Sequence, residues 1–342
     1  MYDHNIFAVL TGCDGKDRAN SAFRLPENST WFRPSVGGVA AKPIIGSRQT
    51  TPAEDEESEG EELSVMDRLV VTFDELLKST NIENGLQLGT NLSSSHILLG
   101  HRGTKGVSAK QCNITLDDDL CIWLHDYHSG YGTAVGYDGQ NQTEVRKSET
   151  WILAYKPGEE NPFGEVTVHA GSLAIKIKFV NHTTGEPRYV ENLRAFLRKC
   201  EEAGQKSKEN ISTLGELGLS SEPSTGVPTE ARAIYDTPIY FRSQLLGRGA
   251  FGEVHKVIRI RDGRVLAAKT FRPTANVVRP PKSCVKPASN KRTLEEMIDP
   301  AWLMGIRREF TLMKENPHVS EQLCVRIHHV SNPRVGQRYA SI

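Results

Sequence analysis

The spacing Gly247-x-Gly249-x-x-Gly252, read together with the residues after it, constrains this chain more than any other feature. Glycines at this spacing occur in several phosphate-binding turns, so the residues beyond Gly252 must separate the options. A helix there would signal a dinucleotide-binding turn. The chain instead continues as "EVHKVIRI", rich in β-branched residues, then "RDGR" with its Asp-Gly hairpin signal, then "VLAAKTF". The pattern predicts a glycine bend joining two antiparallel strands, with a third strand carrying Lys269. Glycines let a backbone come close to a triphosphate where a Cβ would clash. Phe251 at the bend can cover the phosphates and Val254 can roof a purine. Lys269, seventeen positions after Gly252, offers a point charge to the α- and β-phosphates.

"LGRGAFGEV" followed by "AAK" resembles the opening of a eukaryotic Ser/Thr protein kinase domain. The resemblance implies ATP as the ligand, held by Leu246, Gly247, Gly249, Phe251, Gly252, Val254, Ala267 and Lys269. It also implies a glutamate partner for Lys269 on the next helix. Asp299-Pro300 is a helix opening, an N-cap acid followed by proline, and Asn316-Pro317 is a stop. Between them Glu309 sits in "RREF", the context of the kinase glutamate, with Glu315 and Glu295 as alternatives. Forty positions separate Lys269 from Glu309, a departure from the family pattern. They hold a basic, proline-rich insertion over 272–298, expected to be a mobile loop that is either solvated or used for docking.

Residues 310–342 contain neither a His-Arg-Asp catalytic loop nor an Asp-Phe-Gly metal motif. "QLCVRIHHV" reads as a fourth strand. The expectation is a kinase small lobe with no catalytic residues in this chain, in which magnesium belongs only to a longer form. A truncated gene model, a fragment or a short isoform would each account for it.

From about residue 66 to 182 the chain reads as short strands separated by Gly, Asn, Asp and Ser. "LCIWLHD" and "TWILAY" are two of them, and "LAIKIKFV" alternates, with Leu173, Ile175, Ile177 and Phe179 on one face and Lys176 and Lys178 on the other. Many short strands with turn signals predict a β-sandwich. Within it, "LLGHRGTKGVSAKQ" followed by "HDYHSGYGT" resembles the forkhead-associated domain, which binds phosphothreonine peptides. Gly100, Ser108, Asp126, Ser129, Gly132 and Thr133 fit that family's pattern. His101 stands where the family has arginine, with Arg102 next to it. Gln111 replaces a structural histidine, and Tyr131 replaces the asparagine that holds the peptide backbone. A phosphate needs a positive fork and short donors. The resemblance places these at His101, Arg102, Ser108, Lys110, Ser129, Tyr131 and Gly132, with Lys105 a further cation. Retained phosphothreonine binding and a sandwich kept only as an interaction surface are the two outcomes. Cys121, His125 and His128 invite a metal reading, but no fourth ligand is evident and no metal is expected.

The flanks read differently. Residues 1–65 end in "TPAEDEESEGEEL" and are expected to be a mostly disordered acidic arm, in which Ser58 fits an acid-directed phosphorylation site. Over 183–203, Val190, Leu193, Leu197 and Cys200 fall three or four apart and predict an amphipathic helix. A Gly-, Ser-, Glu- and Pro-rich stretch over 204–233 reads as a flexible linker, and a second folded region follows over 234–342. Lys plus Arg (42) equals Asp plus Glu (42), so no overall field favours nucleic acid or an anionic membrane. No signal peptide or apolar span is expected, and six scattered cysteines suit a reducing intracellular compartment, nucleus or cytoplasm. Asn28, Asn113 and Asn141 head Asn-x-Ser/Thr triplets that read as chance matches.

The expected architecture is α+β and multidomain, a forkhead-associated-type β-sandwich followed by an antiparallel sheet with one helix. This layout resembles the fungal checkpoint-type Ser/Thr kinases. It implies an ATP-binding kinase family member that recognises phosphothreonine-containing proteins. The alternative is a non-catalytic phosphopeptide adaptor with a vestigial small lobe.

Overall fold

The computed structural model describes residues 3–13, 17–35, 66–216, 238–249, 252–271 and 323–327, with single positions at 304, 305, 308 and 311. The chain divides into two units, Met1–Tyr235 and Asp236–Ile342. Both are β-rich, with antiparallel and mixed sheets and few helices.

The first unit holds a six-stranded and a five-stranded sheet. The six-stranded sheet runs β2 (Phe32–Arg33), β3 (Arg68–Thr72), β1 (Ile6–Gly12), β11 (Leu173–Lys178), β10 (Val166–Ala170), β8 (Thr133–Tyr137). The five-stranded sheet runs β5 (Ile97–Leu98), β4 (Leu86–Gly89), β6 (Cys112–Leu116), β7 (Ile122–Asp126), β9 (Thr150–Ala154). Pairing in the second sheet is antiparallel except for β4 with β5. Tyr137 of β8, fully buried, crosses between the sheets to donate its hydroxyl to the Ile152 carbonyl of β9 at 2.7 Å. The alternation read in "LAIKIK" is met in β11, where Leu173, Ile175 and Ile177 are buried and Lys178 is exposed.

The N-terminal residues depart from the expected disordered arm. "IFAVLTG" forms β1, hydrogen-bonded on one edge to β3 and on the other to β11, with Phe7, Ala8, Val9 and Leu10 all buried. A short helix α1 (Asp17–Phe23) and a 3-10 turn (Pro26–Asn28) follow. The local signal of β1 is one short apolar run. Its stability comes from partners about 60 and 165 residues away in sequence, which no local reading supplies. The acidic stretch with Ser58 lies outside the described residues. Asn28 is fully buried; its Nδ2 donates to the Ala22 and Leu98 carbonyls at 2.8 Å and its Oδ1 accepts the Leu98 N–H at 2.9 Å. This side chain extends the strand pairing, as a buried amide must find partners.

The helix expected over 183–203 is α3, Pro187–Glu216, which continues into the stretch read as linker. Its buried stripe is Tyr189, Leu193 and Phe196; Leu193 is buried as predicted, whereas Val190, Leu197 and Cys200 are half-buried. Phe7 packs against Phe196 and Phe73 (centroids 5.5 Å for each), and Phe73, on α2 (Phe73–Lys78), packs against Tyr189 at 5.7 Å. Aromatic rings bury the most apolar area per residue, so they set the helix rotation.

The second unit holds a four-stranded sheet in the order β12 (Tyr240–Gly249), β13 (Gly252–Arg259), β14 (Val265–Phe271), β15 (Leu323–Ile327). The fourth strand is present as read, but β15 runs parallel to β14, so the sheet is mixed and not purely antiparallel. A parallel neighbour needs a long crossover, and the residues between 271 and 323 supply one. Positions 304, 305, 308 and 311 are helical, within the predicted helix; Glu309, Glu295, Glu315 and the 272–298 insertion lie outside the described residues.

Candidate functional site

Two groups of sequence-derived candidates are gathered, one in each unit. In the first unit the organiser is Asp126 at the end of β7, buried at 5 % exposure. Its Oδ1 accepts the Ser129 and Ser148 N–H groups at 2.9 Å. Its Oδ2 accepts the Ser129 and Thr133 hydroxyls at 2.6 Å. The Ser129 hydroxyl then accepts the Gly132 N–H at 2.9 Å. Gly132 has φ of +82°, and a Cβ there would meet a Val145 methyl at 2.6 Å and the Arg146 carbonyl at 2.9 Å, so glycine is required.

Gln111 is fully buried and ties this turn to the next. Its Oε1 accepts the Ser108 N–H at 2.8 Å; its Nε2 donates to the Gly132 carbonyl at 3.0 Å and to the Thr133 hydroxyl at 2.9 Å. The structural role read for this position is the one it performs. Ser108 Oγ accepts the Gly130 N–H at 2.8 Å and has no acceptor for its own proton among the described residues. The network thus presents a half-buried hydroxyl at the junction of two loops.

His101, Arg102, Lys105 and Lys110 are exposed around that junction's sequence neighbours. The His101 carbonyl accepts the Thr104 N–H and hydroxyl, closing the loop that carries Arg102. The Lys110 ammonium lies 5.0 Å from the Tyr127 ring centroid, and Tyr131 is 60 % exposed beside Gly130. Ser108 and these cations all belong to the segment between β5 and β6, a composition suited to an oxyanion. Ser148 was not legible as a member. It enters only because β9 brings it back to Asp126 and places its hydroxyl 2.6 Å from His128 Nδ1.

The metal reading finds no cluster. His125 lies between the Thr115 and Thr150 hydroxyls, both at 2.9 Å, and His128 faces Ser148. Burial and the Asp117 carboxylate push the Cys121 thiol up to about 12. No three His, Cys, Asp or Glu side chains are gathered as metal ligands among the described residues. A separate cleft of about 630 Å³ lies where α3 passes β4 and β6, lined by Phe196, Cys200 and the carboxylates Glu83, Asp118 and Glu201. Burial pushes the Cys200 thiol up to about 12, which favours its neutral form.

In the second unit Gly249 pairs with Gly252, so the glycine segment is the bend between β12 and β13, with no helix after it. Two rows further, Gly247, Val254, Lys269 and Val325 stand side by side across four strands. Directly opposed residues project from the same face of a sheet, so Val254 and Lys269 share a face next to the bend. Ala267, half-buried, lies on that face two positions before Lys269. Leu246 is exposed, and Phe251 lies outside the described residues. A Cβ on Gly247 or Gly249 would meet nothing within 4 Å among the described residues, and neither residue has a positive φ. Neither packing among the described residues nor backbone conformation requires glycine at either place.

No family model, no curated protein and no solved structure matches this chain.

Proposed function

We propose that this chain is an ATP-binding member of the Ser/Thr protein kinase family whose N-terminal unit, of forkhead-associated type, recognises phosphothreonine peptides. The observation that carries the nucleotide half is the pair of glycines, Gly247 and Gly249, at which a Cβ would meet no described atom, near the row holding Val254 and Lys269. Residues kept small without internal cause leave room for a ligand to approach the backbone. Gly247, Gly249 and Gly252 would line the phosphates, Lys269 would neutralise them and Val254 with Ala267 would take the base, with Leu246 at the edge. The chain has no His-Arg-Asp or Asp-Phe-Gly, so the activity proposed for these residues is binding, not phosphoryl transfer. Titration of ATP against the full chain, followed by calorimetry, tests this. Binding that Lys269→Met weakens at least tenfold is expected, and no binding by the native chain overturns it.

A second reading, a non-catalytic phosphopeptide adaptor, is favoured by the loop cluster of Ser108, Gln111 and Asp126. There a hydroxyl anchored by Gly130 N–H keeps a proton to donate, with Arg102, Lys105 and Lys110 exposed on the same loops. A phosphothreonine peptide library should yield ligands that Ser108→Ala weakens and that the unphosphorylated peptides do not match. An unresponsive library removes the phosphothreonine ligand from both readings.

A further inference from the structure

Arg248 and Glu253 face each other directly across β12 and β13, in the row between the Gly249–Gly252 and Gly247–Val254 pairs. Arg248 Nη2 lies 2.8 Å from Glu253 Oε1, and His255 Nε2 lies 3.4 Å from Oε2. The glutamate side chain is 7 % exposed although the arginine side chain is 71 % exposed. The rows above and below contain glycines, which bring no side chain to a cross-strand contact. β12 is also irregular, with register shifts between Arg242 and Leu245 and between Leu245 and Gly247, and Ser243 to Leu246 are exposed. Among the described residues, the last rungs before the bend are held by backbone bonds and by the contacts of Glu253 with Arg248 and His255.

We infer that Arg248 and Glu253 form a clasp that holds the neck of the glycine bend in the register a nucleotide requires, with His255 steadying the second carboxylate oxygen. The inference rests on the ATP-binding reading above. Successive residues on a strand project to opposite faces, so Glu253 is turned away from the face of Val254 and Lys269. Arg248 and Glu253 are thus positioning residues, acting on the phosphates through the backbone they hold. A glycine bend left without the clasp samples more conformations, and ordering them again weakens binding.

The test uses the full chain with ATP, and measures affinity, melting temperature and amide hydrogen exchange of residues 247–254 in the nucleotide-free protein. Arg248→Ala should raise the ATP Kd about fivefold, the upper range for an ion pair with one exposed partner. It should speed exchange at Gly249 and Gly252 by a similar factor and leave the melting temperature almost unchanged. Arg248→Lys keeps the charge and should stay within about twofold of the native chain. Glu253→Gln should add nothing further in the Arg248→Ala background, since both changes break the same contact. A native chain that binds ATP through Lys269 but loses nothing with Arg248→Ala overturns the clasp alone, as does unchanged exchange. A native chain that does not bind ATP overturns the clasp together with the reading beneath it.

Discussion

Asp126 and Thr133, seven residues apart on neighbouring strands of different sheets, are joined by a 2.6 Å hydrogen bond from the threonine hydroxyl to a carboxylate oxygen. The intervening turn is wound around that bond. Three further donors converge on the same buried carboxylate.

Asp126→Ala therefore strands four donors at once. A loss of about 3 kcal/mol or more from the stability of the first unit is expected, since an unsatisfied buried polar group costs ~1–3 kcal/mol each. Urea unfolding followed by tryptophan fluorescence measures it. A change under ~0.5 kcal/mol would show that the network is incidental.

The rotation of α3 makes two substitutions on adjacent turns unequal. Phe196→Ala removes a fully buried ring from the Phe7 cluster and should cost about 3–5 kcal/mol, whereas Val190→Ala on the half-buried flank should cost under ~1.5. Comparable losses would show that the helix packs on the stripe from Val190.

Asn28→Ala should destabilise by about 2–3 kcal/mol by leaving the Leu98 N–H and carbonyl without their partner. Asn141→Ala, in a triplet of the same type but at an incompletely buried turn, should cost less. Thermal unfolding of the two variants side by side decides it.

Acid should weaken the first unit through its buried histidines. Burial lowers the pKa of His96, His125 and His182; the Glu83 carboxylate opposes this at His96 and a bond to the Tyr155 carbonyl opposes it at His182. With folded pKa values below the ordinary value of 6.5, the unfolded chain binds more protons as pH falls. Their contribution is therefore present above about pH 6.5 and is lost as pH drops through the lowered folded values. The melting temperature should fall between pH 7.5 and 5.5, and His125→Gln should flatten that slope. A slope unchanged by the substitution would assign the acid sensitivity elsewhere.

Much of the second unit was legible because its signals are local. Gly252, the β-branched residues after it and Asp262-Gly263 lie within a few residues of one another, and hairpin register follows from such neighbours. The parallel placement of β15 was not legible, because the pairing of Ala268 with Cys324 spans more than fifty residues. In the first unit the turn residues Asp126, Ser129, Gly132 and Thr133 were singled out by the resemblance to the forkhead-associated pattern, and they share one hydrogen-bonded turn. Ser148 was missed, since its only link to them is tertiary.

The order of residues by itself determined the alternation of β11, the antiparallel glycine hairpin and the place of Lys269 on the strand after it, because side-chain period and turn chemistry act over a few bonds. Only the tertiary structure decided that β1 is an interior strand, that α3 turns Tyr189 and Phe196 inward, and that Glu253 is a buried partner for Arg248. Each of those outcomes depends on which distant surface removes a given side chain from water, and that free energy is not a property of any short segment.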